Sequence, residues 1–492
     1  MVRLTPGSCT LSLALAAGLV LVASVVTTAQ NGAAPARGAA VPTFAKDVLP
    51  ILQRSCQNCH RPGTYAPMSL LTYQDARPWA RSIKQRVQSR QMPPWHIDRT
   101  IGEYLDDPSL NDQEVDTIVR WVDGGAQQGN PADGPPPRKF TPLDEWVYGE
   151  PDLVVQMEKG FKIPAEGADT LPSEVVDPHI TEDRYVKWVQ IIPTAHCCVH
   201  HSHVYVEIPE GADTEGLGLG MGSNLEDAVD LIEYAAGNDA DIFAEGTAKM
   251  IKAGSLFRFA PHYHPYGEEA FDKQKVGIKF YPRGYKPKYV VTSHRIRTGV
   301  GNDWVLNRER VEDLLLRAGY KLDIDEPSMP TGAWLEENAL AGAALLSIPP
   351  NTLARHDRYW PLPQPALIIS FQPHMHFRGT RMVFEAIHPD GRREILTDAN
   401  RYEQNWQITY TYKTPHLFPA GTILHTISWH DNTANNPHNP DPTAWIGWGN
   451  RTMDEMGHGW TDVAFLTEQQ YQEELAKRKA KKPTTTSAQQ RQ

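Results

Sequence analysis

The sequence predicts a multidomain chain in which a small all-α unit is followed by two all-β sandwiches in tandem. Three observations carry this reading. At 492 residues the chain exceeds one ordinary domain of ~100–200 residues. Apolar residues recur at helical spacing up to about Gly129, and beyond it the period drops to two. Between the two regimes lies a proline-rich stretch, Asn130 to Pro137, which reads as a linker.

Taken in order, residues 1–29 read as an export signal. Arg3 precedes the apolar run Leu11 to Val26, and Thr27-Thr28-Ala29 offers small residues for cleavage. A run of ~16 residues is short of the ~20 that a spanning helix needs, so no stable membrane span is expected after cleavage and the protein is expected to be periplasmic or secreted. Cys9 leaves with the signal, which puts the remaining cysteines in two tight pairs. Residues 30–42, with Gly32, Pro35 and Gly38, form a flexible leader. The helical unit spans 43–129. Thr43 can cap a helix carrying Phe44, Val48, Ile51 and Leu52, and Val115, Ile118, Val119 and Val122 repeat until Gly124-Gly125 stops them.

After the linker, 130–143, the runs Tyr185–Ile192, His203–Ile208, Val276–Phe280, Ala366–Phe371, Met382–Ile387 and Thr422–Trp429 read as strands, with Asp390-Gly391 as a hairpin turn. A Pro-, Gly- and Ala-rich connector, 327–352, divides a first sandwich, 144–326, from a second, 353–466. The end, 467–492, is a charged run from Glu468 to Lys482 that can form a helix and then a Thr/Ser/Gln tail; it is expected to be a disordered tail.

Lys and Arg total 48 against 59 Asp and Glu, a balance of −11 that repels a phosphate backbone and excludes nucleic acid as the expected partner. Nineteen histidines against five cysteines point to metal chemistry rather than a disulfide scaffold.

Cys56-Gln57-Asn58-Cys59-His60 is the C-x-x-C-H signature. Thiols one helical turn apart form thioethers to the haem vinyl groups, and the following imidazole is the axial ligand. A zinc knuckle would need a second C-x-x-C, and a redox dithiol a βαβ setting; neither is present. The segment resembles a class I c-type cytochrome domain over about 90 residues. That resemblance implies one covalent haem c and a methionine as second axial ligand. Met92, in Arg90-Gln91-Met92-Pro93-Pro94-Trp95, is the favoured candidate; Met68 reads as packing, and His96 as an exposed loop residue.

Three histidine clusters lie on or beside strand-like runs: His196-Cys197-Cys198-Val199-His200-His201-Ser202-His203, His262-Tyr263-His264 and His374-Met375-His376. Alternate residues of a strand share a face, so His374 and His376 can chelate one ion. Imidazole suits copper or zinc, and a thioether, offered by Asp454-Glu455-Met456, shifts the choice to Cu(I). His201 and His203 also share a strand face, so spacing alone does not choose between His200 and His203. The adjacent Cys197 and Cys198 can form a labile disulfide, add a soft copper ligand, or stay as inert buried thiols.

In this order the clusters resemble the copper type II, ascorbate-dependent monooxygenases, the family of peptidylglycine hydroxylating monooxygenase and dopamine β-monooxygenase. The resemblance spans Asp144 to Phe465. It implies two jelly-roll sandwiches and two copper ions facing each other across a solvent-filled cleft. One copper would take His200, His201 and His262, and the other, where O₂ is activated, His374, His376 and Met456. His203 and His264 fall outside the ligand set, and His425, His430 and His438 are assigned to core and loop. Where peptide-amidating members carry an arginine, an asparagine and a tyrosine for a substrate carboxylate, this chain has Gln372, His458 and Trp460. A C-terminal peptide is therefore not expected as substrate, and Trp460, with Trp445 and Trp448, suits an apolar or aromatic guest.

The two resemblances, occurring on one chain, together imply an exported haem- and copper-containing monooxygenase that hydroxylates a C–H bond of a small organic substrate with O₂. The haem would relay electrons from an ascorbate-like reductant or a periplasmic redox protein. The alternative is a non-catalytic periplasmic electron carrier or copper-binding protein.

Overall fold

The computed structural model describes residues 40–64, 66–219, 230–235, 238–298, 346–449 and 451–481. The expected export signal, most of the leader, the connector up to residue 345 and the last eleven residues lie outside the described residues. Among the described residues no helix is long and apolar enough to cross a membrane.

A π-helical turn, Phe44–Val48, opens the helical region and runs into α1 (Leu49–Ser55); α2 (Tyr73–Ala76), α3 (Ala80–Gln88) and α4 (Asp112–Asp123) follow. Asn111 and Glu114 close a reciprocal capping box on α4, and the helix stops at Gly124, with Gly125 at φ 90°. Thr43 stands at the predicted cap but makes no side-chain capping bond; its amide instead donates to Asp47, 2.7 Å away. The apolar faces meet around Trp121, which is fully buried, tilts against Phe44 and donates its indole N–H to the Gln127 carbonyl. Trp121→Ala is expected to destabilise the helical region by about 3–5 kcal/mol in denaturant melts followed by circular dichroism; a loss under ~1 kcal/mol would show that its core is organised elsewhere.

The region does not close on itself as the sequence suggested. Trp95, Ile97 and Tyr104 leave its core and enter that of the second sandwich, where Trp95 meets Tyr410 with ring centroids 4.8 Å apart. Main-chain bonds from Asp98 to Asp398 (2.8 Å) and from Leu105 to Thr411 (2.9 Å) fix the segment there. His96, read as an exposed loop residue, is buried, and desolvation followed by the Arg401 charge pushes its pKa down to about 4. The linker is also held. The guanidinium groups of Arg61 and Arg138 lie over the Phe140 ring at 4.7 and 4.9 Å, and Gln53 donates to the Pro136 carbonyl.

Strands β1 (Leu153–Gln156), β2 (Phe161–Ile163), β3 (Glu174–Val176), β4 (Arg184–Ile192), β5 (Val199–Glu207), β6 (Asp230–Ala235), β7 (Ala240–Ile242), β8 (Thr247–Ile251), β9 (Leu256–Tyr263), β10 (Ala270–Asp272), β11 (Lys275–Phe280) and β12 (Tyr289–Val290) build the first sandwich. One sheet runs β1-β11-β4-β8-β12 with β7 beside β4, the other β3-β9-β5-β6, and β2 pairs β10. Ile191, Val204, Phe257 and Ile278 belong to one core shared by both sheets.

The second sandwich contains β13 (Thr292–Arg297), β14 (Ser347–Ile348), β15 (Leu353–Pro361), β16 (Ala366–Met375), β17 (Gly379–Ile387), β18 (Arg393–Ala399), β19 (Tyr410–Phe418), β20 (Ile423–Asp431), β21 (Ile446–Gly447) and β22 (Gly457–Phe465). Its sheets run β13-β22-β16-β19 and β15-β20-β17-β18, with Phe371 stacked on Phe384 between them. The Asp390-Gly391 turn joins β17 to β18 as expected, with Gly391 at φ 83°. The boundary differs from the sequence reading: β13 pairs along its whole length with β22, so the second sandwich begins near Thr292 instead of after residue 326. The charged run that opens the expected tail forms a helix, α5 (Glu468–Lys481), as its sequence allowed. It is anchored by Glu474, which accepts from Lys288 (2.8 Å) and Tyr289 (2.6 Å), and by Arg478, which donates to the Pro415 carbonyl.

Candidate metal centres

The C-x-x-C-H motif follows directly on α1, where the amides of Cys59 and His60 both bond the Cys56 carbonyl. The turn places both thiols half-buried, and burial, then the neighbouring Cys59, pushes the Cys56 thiol up to about 12. His60 donates its Nδ1–H to the Met68 carbonyl at 3.1 Å, which fixes the tautomer and leaves Nε2 as the free lone pair. Burial outweighs that bond and holds the ring below its ordinary pKa. Two thiols and an oriented imidazole fit the donor set for covalent haem. Met68 packs against the helical core, as expected of it, and Met92 is half-buried after α3, with its amide on the Arg86 carbonyl.

The first histidine cluster is built by pairing of β5 with β9. His201 lies directly opposite His262, and the register slips between Val199 and His201. That bulge answers how two adjacent residues reach one site, because an extra residue on a strand re-aims its side chain. The His200 ring lies 5.4 Å from that of His201 and 5.3 Å from that of His262. His262 Nδ1 is 3.1 Å from His201 Nε2, close to the ~3.3 Å separating two nitrogens held at ~2.0 Å by one tetrahedral ion. Burial, then the His262 charge, lowers His200 to about 3; burial and its imidazole neighbours hold His201 well below the ordinary range. Unprotonated rings are what a metal requires.

The second cluster lies at the end of β16. His374 and His376 share a face, with ring centroids 5.5 Å apart. His374 donates Nδ1–H to the Gln407 side-chain oxygen at 2.9 Å, and His376 donates Nδ1–H to the Asp454 carbonyl at 3.1 Å, so each leaves Nε2 free. The Asp454–Met456 turn is tied to the pair by Glu455. Its fully buried carboxylate accepts the amides of His376, Arg378 and Met456, and burial pushes it up to about 7 in spite of those bonds. Met456 is buried, and its carbonyl takes the Nε2–H of His430 at 3.0 Å.

The clusters adjoin. His201 and His374 have ring centroids 5.9 Å apart, and both are largely buried, so the solvent-filled cleft implied by the resemblance does not separate these two rings. At the expected substrate end, Gln372 donates to the Gln407 carbonyl and His458 stacks at 5.7 Å on His374 while accepting from Trp448. Trp460 lies against His203, and Trp445 is exposed. Cys197 and Cys198 are joined as a disulfide beside the first cluster. His264 is exposed, His425 is buried between Glu385 and Asp357, and His438 is exposed.

Sequence reasoning missed the groups that orient these ligands. Asp169 accepts from His262 Nε2 (2.9 Å), His264 Nδ1 (2.7 Å) and the Thr452 hydroxyl (2.6 Å). Burial opposes its ionisation, yet these bonds prevail and hold the carboxyl well below its usual range. Nothing in a loop aspartate signals this role. Gln407 and Glu455 are similarly silent, although Glu455 stands inside the noticed Asp-Glu-Met run. Asp169→Asn is expected to weaken metal binding at the first cluster by about 10–100-fold in chelator competition; unchanged affinity would show that Asp169 does not orient a ligand. A further group, His201, His203 and Glu233, has ligand atoms within 4.8 Å of one another and can hold a metal ion.

No family model matches the chain, and no curated protein does. Among solved structures, PNGF-II is similar over 64% of this chain and 65% of its own length, at 10% identity and a TM-score of 0.24; the chain thus spans under two thirds of that protein. Allantoicase is similar over 55% of this chain and 80% of its own, at 9% identity and a TM-score of 0.15. Bacillus subtilis oxalate decarboxylase is similar over 68% of this chain and 86% of its own, at 9% identity and a TM-score of 0.11. Likenesses this slight carry no argument.

Proposed function

We propose that the chain is an exported monooxygenase that hydroxylates a C–H bond of a small organic substrate. The balance is C–H plus O₂, two electrons and two protons to C–OH plus water. The observation that carries the reading is the convergence of His200, His201 and His262 with His374 and His376 in one buried region, the two groups meeting through His201 and His374. Copper bound by these residues, with Met456 in the second set, would supply one-electron chemistry toward O₂, and haem bound at Cys56, Cys59 and His60 would supply stored electrons.

The chain's own groups prepare the site. Gln407, the Asp454 carbonyl and Asp169 fix which nitrogen of His374, His376 and His262 is free, so these three rings are oriented before an ion enters. Burial excludes bulk water and keeps the rings unprotonated. The electron donor would be an ascorbate-like reductant or a periplasmic redox protein.

The test is O₂ uptake by the reduced, haem- and copper-loaded protein over a panel of small C–H substrates, with haem absorbance followed with and without copper. Copper-dependent uptake, an oxygenated product and faster haem reoxidation with copper are expected. Full metal loading without uptake or product under any reductant would leave a carrier or copper-binding protein instead.

A further inference from the structure

The hydrogen bonding around His201 leaves a second, buried donor set on the ring nitrogen that does not face the first cluster. Asp169 is an acceptor, so the His262 hydrogen stands on Nε2 and its Nδ1 is a lone pair. His201 then donates Nε2–H to that lone pair, which leaves His201 Nδ1 bare; it has no hydrogen-bond partner although buried. It faces Glu233 Oε1 at 3.8 Å, and that oxygen too is buried and without a partner. His203, directly across from Glu233 on the paired strands β5 and β6, gives Nδ1–H to Asp230 at 3.3 Å and turns Nε2 to the same oxygen at 3.5 Å.

Acceptors therefore converge from three sides. Side chains of His203 and Glu233 are only 9% exposed, and lone pairs facing a carboxylate in such a setting repel unless a proton or a metal cation lies between them. A proton on His203 would satisfy Glu233 but leave His201 Nδ1 bare.

We propose that His201 Nδ1, His203 Nε2 and Glu233 Oε1 hold a third metal ion, a divalent one of the zinc type. Two imidazoles and one carboxylate are a three-ligand set with an open fourth position, and the lack of any thiolate or thioether disfavours Cu(I). Asp230 is the carboxylate that orients His203. A cavity of about 40 Å³ bordered by Glu233, Asp230, Lys249 and Trp460 adjoins the position, with room for a water, which needs ~10–15 Å³. When the first copper cluster is filled as well, His201 serves both ions and its ring hydrogen leaves to solvent as a proton.

The experiment titrates Zn²⁺, and separately Co²⁺ as a coloured probe, into the full chain preloaded with copper under reducing conditions. Wild type is expected to retain one equivalent of Zn²⁺ and to give the visible bands of four-coordinate Co²⁺. Glu233→Gln and His203→Asn are expected to bind it at least 100-fold more weakly, with copper content and thermal melts near wild type. Retention by both variants equal to wild type, or no retained equivalent and no Co²⁺ bands in wild type itself, overturns the proposal. The two readings separate: one Zn²⁺ lost in Glu233→Gln by a chain that takes up no copper would refute the copper function and uphold this site.

Discussion

On the proposed function, Met456→Ala is expected to lower product formation by at least ~100-fold, with the haem spectrum and the His200, His201 and His262 cluster as in wild type. The thioether is the one soft donor expected in the second set, and a Cu(I)-competent site depends on it. Its removal leaves His374 and His376 still oriented by Gln407 and the Asp454 carbonyl, so the two imidazoles would hold copper without a sulfur donor. X-ray absorption on the reduced protein should lose its sulfur scatterer in step with the product. Normal turnover by the variant would exclude the second cluster as the place where O₂ reacts. Because Met456 is buried immediately before β22, Met456→Leu is the companion that keeps packing while removing sulfur.

If Cys56 and Cys59 hold haem as proposed, Cys56→Ala/Cys59→Ala is expected to abolish it, read as complete loss of haem staining on a denaturing gel. Turnover driven by a redox-protein donor should fall to background, while turnover with excess ascorbate survives in part. Neither thiol is central to the helical core, where Trp121, Leu52 and Ile118 carry the packing, so a folded chain is expected. Covalent haem retained in the double variant would show that attachment lies elsewhere.

What was legible in the sequence followed from local period and local chemistry. Tyr185–Ile192 and Val276–Phe280 are strands because β-branched and aromatic residues repeat between turn formers, and Asp390-Gly391 turns because glycine tolerates positive φ. The pairing of His374 with His376 follows from strand alternation alone. The meeting of His200 with His262 does not: it needs a bulge in β5, and a bulge has no signature in a run of His, Cys and Val. The placement of Trp95 and Tyr104 in the second sandwich was hidden because their partners, Tyr410 and Tyr412, lie far along the chain. The same holds for β13, whose only strand partner among the described residues is β22. Asp169 and Gln407 were invisible for a related reason, since a ligand's orienting group is chosen by geometry after folding rather than by spacing before it.

The most direct measurement of the central idea is a count of copper per chain. After anaerobic loading and gel filtration, two ions per wild-type chain are expected, falling to one in His374→Ala/His376→Ala and to one in His200→Ala/His262→Ala. A wild-type chain that emerges without copper, or pairs of variants that retain both ions, would contradict it.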